Sequence, residues 1–154
     1  MSTLLIQSCS GTKNDVDGSV PAIQLYDGYF FRIIKKAQRN FGLDNGLDML
    51  ILSAKHGIID PEEEIEHYDQ VMDEERAKEL NKEVVEAIAK RVENKNYSKI
   101  VCNLGKDYLK AVEGLENHLS DEQELHVIEG NGIGEKGKVL KKIVTGSSLD
   151  SYVN

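Results

Sequence analysis

A chain of 154 residues, 40% of them hydrophobic, suits one domain that can bury a core without metals or disulfides to hold it. The formal net charge of −8 excludes a surface that is basic throughout, and with it broad non-specific binding to nucleic acid. No apolar run approaches the roughly 20 residues needed to cross a bilayer, and the start, Met1-Ser2-Thr3-Leu4-Leu5-Ile6, lacks the basic region and cleavable apolar segment of a secretory signal.

Leu4-Leu5-Ile6 reads as a first strand, and Phe30, Ile33, Ile34, Ala37 and Phe41 then recur at the three- and four-residue spacing of a helix, with Gly42 as its stop. Met49-Leu50-Ile51-Leu52 is the second strand. Pro61 with Glu62, Glu63 and Glu64 reads as a solvated helix start, the proline at the first helical position. Ala77, Leu80, Val84, Ile88 and Val92 form a second helical stripe, with Asp73 as N-cap and Glu74 and Glu75 at the positive helix end. Ile100-Val101-Cys102 is the third strand, followed by a shorter helix beginning with Tyr108, Leu109 and Val112. Leu125-His126-Val127-Ile128 is the fourth strand, and Leu140, Ile143 and Val144 mark a last helix. Short unbroken apolar strands alternating with amphipathic helices predict a three-layer α/β sandwich, its four-stranded, mainly parallel sheet flanked by helices. One domain is expected over residues 1–144, with a polar tail over 145–154.

Open parallel sheets bind ligands outside the carboxyl ends of their strands, where loops converge and helix N-termini point. The segments after the four strands are Ser8-Cys9-Ser10-Gly11-Thr12-Lys13, Ser53-Ala54-Lys55-His56-Gly57, Asn103-Leu104-Gly105-Lys106 and Glu129-Gly130-Asn131-Gly132-Ile133-Gly134. All are small, polar or glycine-rich. Ser8, Ser10 and Lys13 offer hydroxyls and an ammonium to a phosphate or carboxylate, without the spacing of a Walker A loop. Cys9 is either a nucleophile activated by Lys13 or a small side chain packed at a strand end. Lys55 can neutralise a phosphate and His56 can donate a proton near neutral pH, while Ser53 and Gly57 frame them. The bland alternative is a solvated turn.

Nine acidic residues and no Lys or Arg lie between Asp60 and Glu75. Within this stretch Tyr68 could stack on a base, and the Asp69 carboxylate could activate water or stabilise a developing cation. Tyr26 and Tyr29 either form a second stacking wall or pack beneath the first loop. Gly105 and the alternating Gly130, Gly132 and Gly134 would let an anion approach a helix N-terminus. His67, His118 and His126 share no metal-ligand spacing with one another or with the cysteines, so no metal is expected. Cys9 and Cys102, far apart and each after an apolar run, read as reduced thiols of a cytoplasmic protein. Two basic clusters, Arg32, Lys35, Lys36 and Arg39, then Lys136, Lys138, Lys141 and Lys142, read as solvated helix faces or as local patches for tRNA or DNA.

Four motifs in order, S-C-S-x-x-K at Ser8 to Lys13, Y-x-G-x-x-F at Tyr26 to Phe31, S-A-K-H-G at Ser53 to Gly57 and G-x-G-I-G at Gly130 to Gly134, resemble a family of small bacterial, archaeal and phage domains labelled as like the peroxide-stress protein family. The resemblance spans nearly the whole chain. The first motif is also similar to the P-C-S-x-x-K-P-Y signature of archaeosine synthase, which adds lysine to a deazaguanine base in transfer RNA. Cys9, Ser10 and Lys13 match it, whereas Ser8 stands for the leading Pro and Asn14-Asp15 for Pro-Tyr. More distantly, the layout resembles uracil-DNA-glycosylase-like folds.

These resemblances imply a nucleobase, nucleoside or nucleotide ligand. The expectation is an enzyme acting on a base or its N-glycosidic bond, without a cofactor, in which Ser10 and Lys13 hold phosphate, Tyr26 or Tyr68 stacks, His56 protonates the leaving base and Asp69 serves water or the sugar cation. The alternative is a non-catalytic nucleotide- or nucleic-acid-binding module.

Overall fold

A computed structural model of the chain describes residues 2–41, 46–129 and 132–145, the side chains at 40 and 41 excepted. Gly42, read as a helix stop, Gly130 of the glycine run, and the tail from residue 146 lie outside the described residues. In chain order the elements are β1 (Thr3–Ser8), β2 (Ser19–Pro21), α1 (Ala22–Leu25), α2 (Tyr29–Phe41), β3 (Leu47–Ser53), β4 (Gly57–Ile59), β5 (Glu64–Glu66), α3 (Glu74–Asn94) and β6 (Lys99–Asn103). Two 3₁₀ turns follow, Lys106–Val112 and Leu115–His118, then β7 (Glu124–Val127) and α4 (Ile133–Val144).

The central sheet has the order β4-β3-β1-β6-β7. Strands β3, β1, β6 and β7 are parallel, and β4 returns antiparallel to β3. Period-two alternation sends Leu5, Met49, Ile51 and Val101 to one face, against Phe31 and Ile34 of α2 and Leu140, Ile143 and Val144 of α4. Leu4, Ile6, Leu50, Leu52, Ile100 and Cys102 point to the other, against Ala77, Leu80, Val84, Ile88 and Val92 of α3. Burial on both faces is why these strands read as unbroken apolar runs rather than alternating ones. Each fully buried Ile or Leu, such as Ile6 or Ile51, contributes about 1.5–3 kcal/mol.

The chain leaves β1 for β3 on one side, then crosses to β6 on the other. Right-handed crossovers in opposite directions put their helices on opposite faces, hence α2 and α3 on separate cores. The α/β sandwich stands, with two corrections. The sheet has five strands rather than four, because Gly57–Ile59 folds back on β3 with Ser53 paired to Gly57. The segment after Pro61 is a turn leading into β5, not a helix start. Backbone N–H groups of Ala22 and Ile23 donate to the carbonyls of Glu63 and Pro61 (2.8 and 3.0 Å), and β5 pairs antiparallel with β2, so the chain is captured in extended form. The stretch starting at Tyr108 belongs to a 3₁₀ turn rather than an α-helix. Asp73 is the α3 N-cap as expected, its carboxylate accepting from the Arg76 N–H at 2.7 Å.

Candidate functional site

Strand order reverses between β1 and β6, so their carboxyl ends diverge into loops running opposite ways and leave a crevice. Cys9 leaves β1 there, and Tyr108 follows β6; the thiol and the hydroxyl share a hydrogen bond of 3.1 Å. Beside this pair lies a cavity of about 240 Å³, lined by Cys9, Ser10, Gly11 and Lys13 from the first loop, by Asp69, Gln70, Val71 and Met72 before α3, and by Tyr108. Burial first, then Cys9, raise the Tyr108 hydroxyl pKa, so it stays protonated at neutral pH.

Among the described residues the buried polar side chains are Gln7, Ser8, Ser53 and Asn103, each one of the last two residues of a parallel strand. Asn103 donates from Nδ2 to Gln7 Oε1 at 2.9 Å, and Gln7 Nε2 donates to the Ser8 carbonyl at 3.2 Å. Ser53 Oγ accepts from the N–H groups of Lys55 and His56 (3.2 and 3.1 Å) and bonds the Tyr68 hydroxyl at 2.8 Å. Tyr68 in turn bonds the Tyr26 hydroxyl at 2.6 Å. Burial pushes Tyr26 up to about 12 and raises Tyr68 as well, so this hydroxyl chain is neutral.

Charge gathers around the same tyrosine. Lys13 Nζ lies 4.6 Å from the centre of the Tyr68 ring and Lys55 Nζ 5.9 Å, while the His56 ring meets it edge-on at 5.4 Å. Neither lysine forms an ion pair among the described residues, in a chain with eight more acidic than basic side chains. Among the described residues, His56 Nε2 is buried without a hydrogen-bond partner. Its burial, and then the Lys55 charge, lower the imidazole pKa against an opposing pull from Glu63. The turn bearing these groups has three residues between Ser53 and Gly57, and Gly57, at φ 73°, takes the left-handed conformation that closes it. Arg76, from the first turn of α3, clamps it by donating to the carbonyls of Ala54 and Lys55 (2.8 and 3.1 Å).

The residues singled out in the sequence therefore fall into distinct groups. Cys9, Ser10, Lys13 and Asp69 share the cavity; Lys13, Lys55 and His56 share the Tyr68 ring. His56 and Lys55 are not among the cavity's lining residues. The stacking wall is corrected: Tyr26 is fully buried with its ring 5.1 Å from that of Phe31, and Tyr68 is 6% exposed, so neither offers a free face to a base. Tyr29 does, at 48% exposure. Ser10, on the cavity wall, also braces its own loop, donating to the Thr12 carbonyl at 2.5 Å and accepting from the Gly28 N–H at 3.2 Å. A Cβ on Gly28 would sit 2.6 Å from that of Ser10, which explains the glycine in Y-x-G. Ser8 is buried, Gly105 precedes the 3₁₀ turn that carries Tyr108, and Gly132 and Gly134 lie exposed at the start of α4. Sequence reasoning missed Tyr108 and Arg76. The Gly105 break after β6 was the available signal for the first; Arg76 carried none.

The fold and crevice define an α/β domain that gathers buried Gln, Ser and Asn side chains and the lysines Lys13 and Lys55 at the carboxyl edge of a mostly parallel sheet. The chain belongs to a family of unknown function, DUF6884, whose model matches residues 4–142. Its fold is similar to that in the crystal structure of AF0587, a protein of unknown function, at TM-score 0.53 and 16% identity. The likeness covers 95% of this chain but 45% of that one, so the chain spans less than half of its structural relative. No curated protein matches. Among the described residues no cluster of His, Cys, Asp and Glu suits a metal ion, and no helix is long and apolar enough to cross a membrane.

Proposed function

We propose that the crevice cavity binds one nucleotide or nucleoside and acts on its base or N-glycosidic bond. The observation that carries this reading is the pairing of Lys13, a cation held by a ring rather than a carboxylate, with the Asp69 carboxylate on one cavity at the topological switch point. The volume, about 240 Å³, is below the roughly 300–1,000 Å³ of sites for drug-sized ligands and suits a single base with part of its sugar. The likeness of the first loop to archaeosine synthase, with Cys9, Ser10 and Lys13 matched, supports a base as the reacting group.

Lys13 would hold the ligand's phosphate. In hydrolysis the bond from C1′ to the base nitrogen breaks with its electron pair going to the base, which accepts a hydrogen bond from the Tyr108 hydroxyl and takes its proton from solvent. Water attacks C1′ and gives its proton to Asp69, which also faces the developing oxocarbenium charge. Tyr108 rather than His56 faces the leaving base in this scheme, because Tyr108 lines the cavity and His56 does not.

A thermal-shift screen over nucleobases, nucleosides and nucleotides, followed by chromatography for released base, tests the proposal. A phosphorylated ligand should raise the melting temperature. Lys13→Ala should weaken it at least tenfold while affecting the matching nucleoside less. Asp69→Asn should cut base release by about 10² or more with binding retained. Binding without turnover would assign the cavity to a non-catalytic nucleotide-binding module. No shift with any panel member, together with no base release from nucleosides, DNA or tRNA, would overturn the reading.

A further inference from the structure

Charge on this molecule is divided. Eight of its 19 Lys and Arg but one of its 27 Asp and Glu lie on α2 and α4, which leaves 11 basic against 26 acidic residues elsewhere. The two helices pack side by side on one face of the sheet. On α2, Tyr29, Arg32, Lys36 and Arg39 follow one another at three- and four-residue spacing, all exposed, in a stripe about 15 Å long. On α4, Lys138 and Lys141 are exposed at the same kind of spacing. Asp27 holds Arg32 at 3.2 Å, but Lys36, Arg39, Lys138 and Lys141 form no ion pair among the described residues.

Tyr29 joins the two stripes. A Cβ on Gly137 would lie 2.6 Å from Tyr29 Cε2 and 2.7 Å from its hydroxyl, so the ring rests directly on the α4 backbone, one residue before Lys138. It is still 48% exposed. The stripe also starts at the cavity's own loop, since the neighbouring Gly28 packs against Ser10 and donates to its hydroxyl at 3.2 Å. An exposed aromatic ring between two rows of cations, most of them without an ion pair among the described residues, is the chemistry that holds single-stranded nucleic acid, with phosphates on the lysines and arginines and a base on the ring.

We infer that the α2–α4 face docks a single-stranded polynucleotide and leads it to the crevice, so that the substrate is a nucleotide within a strand rather than a free one. This deepens the reading of the cavity given above and rests on it. The overall charge argues in the same direction: with 11 basic against 26 acidic residues outside the two helices, most of the remaining surface disfavours a polyanion, which narrows the strand's path to this face and the crevice lysines.

Fluorescence anisotropy with DNA and RNA oligonucleotides of about 16 nucleotides, the upper end of single-strand site sizes, measures the docking. A variant carrying Lys36→Glu, Arg39→Glu, Lys138→Glu and Lys141→Glu should bind at least tenfold more weakly. Its salt slope should flatten by about 3, since each lost phosphate contact removes about 0.7. Tyr29→Leu, which keeps an apolar side chain over Gly137, should lose about tenfold, and Tyr29→Phe should bind like the wild type. Both variant sets should retain the wild-type response to mononucleotides, which reports the cavity and the fold together. Oligonucleotide binding unchanged in the charge variant would overturn the inference. So would equally tight binding of polyglutamate or phosphatidylserine vesicles by the wild type, which would mark a surface for any polyanion. Oligonucleotides that bind through this face while no mononucleotide or nucleoside binds would remove the cavity reading and leave the docking face supported.

Discussion

Tyr68 is the residue on which the carboxyl edge of the sheet is assembled. Its hydroxyl connects Tyr26 (2.6 Å) to Ser53 (2.8 Å), and its ring carries Lys13, Lys55 and the edge of His56. The two functions separate in Tyr68→Phe, which keeps the ring and removes the oxygen. Ser53 Oγ would still accept from two backbone N–H groups, but the fully buried Tyr26 hydroxyl would lose its 2.6 Å bond to Tyr68 and keep only its interaction with Ser53. A lost hydrogen bond costs about 0.5–1.5 kcal/mol. Urea unfolding should therefore show a lower midpoint at unchanged slope, and an unchanged midpoint would mean that the hydroxyl chain contributes nothing to stability. Nothing in the sequence marked Tyr68 for this role. A tyrosine in an aperiodic acidic loop reads equally well as exposed, and only the long-range approach of Tyr26 and Ser53 decides that it is buried.

At the level of elements, what was legible follows from period and length. The runs at Leu4-Leu5-Ile6, Met49 to Leu52 and Ile100 to Cys102 declared strands buried on both faces, and each proves longer by one or two residues at each end. The site's location followed from the same strands, since their carboxyl ends are known once their direction is. Strands β4 and β5, three residues each, were not legible, because their pairing is set by partners that no local pattern reveals. The acidic stretch after β3 divides similarly. Asp60 pairs with Arg91 at 3.0 Å, Asp73 caps α3, Glu74 pairs with Lys78 at 3.5 Å, and Asp69 faces the cavity. The β3–β4 hairpin carries a pH response. Burial, then Lys55, hold folded His56 below its ordinary 6.5, so as pH falls the unfolded chain takes up the proton first. The resulting stability is fully present above about pH 6.5 and is lost as pH falls through the folded-state value. Between about pH 8 and 5, the wild type should lose stability more steeply than His56→Gln in urea titrations. Parallel slopes would show that His56 titrates as it does in the unfolded chain.

For the molecule as a whole, the sheet separates two cores, and its two thiols sit at different depths in that plan. Cys9 is partly exposed on the cavity wall, whereas Cys102 has no exposed surface. Cys102 points from β6 into the α3 core, and burial pushes its thiol up to about 12. Its strand is bonded on both sides, to β1 and to β7, so fraying of an edge strand does not uncover it. Iodoacetamide should accordingly modify Cys9 in the native protein. Cys102 should react only through molecules that have opened globally, slower by a factor of roughly 10³ or more at ordinary domain stabilities. Its rate should climb with urea in step with the loss of circular dichroism, while that of Cys9 changes little below the transition. Comparable native rates at the two thiols would mean that α3 lifts from its face of the sheet well before the rest unfolds, and that the two cores do not melt as one unit.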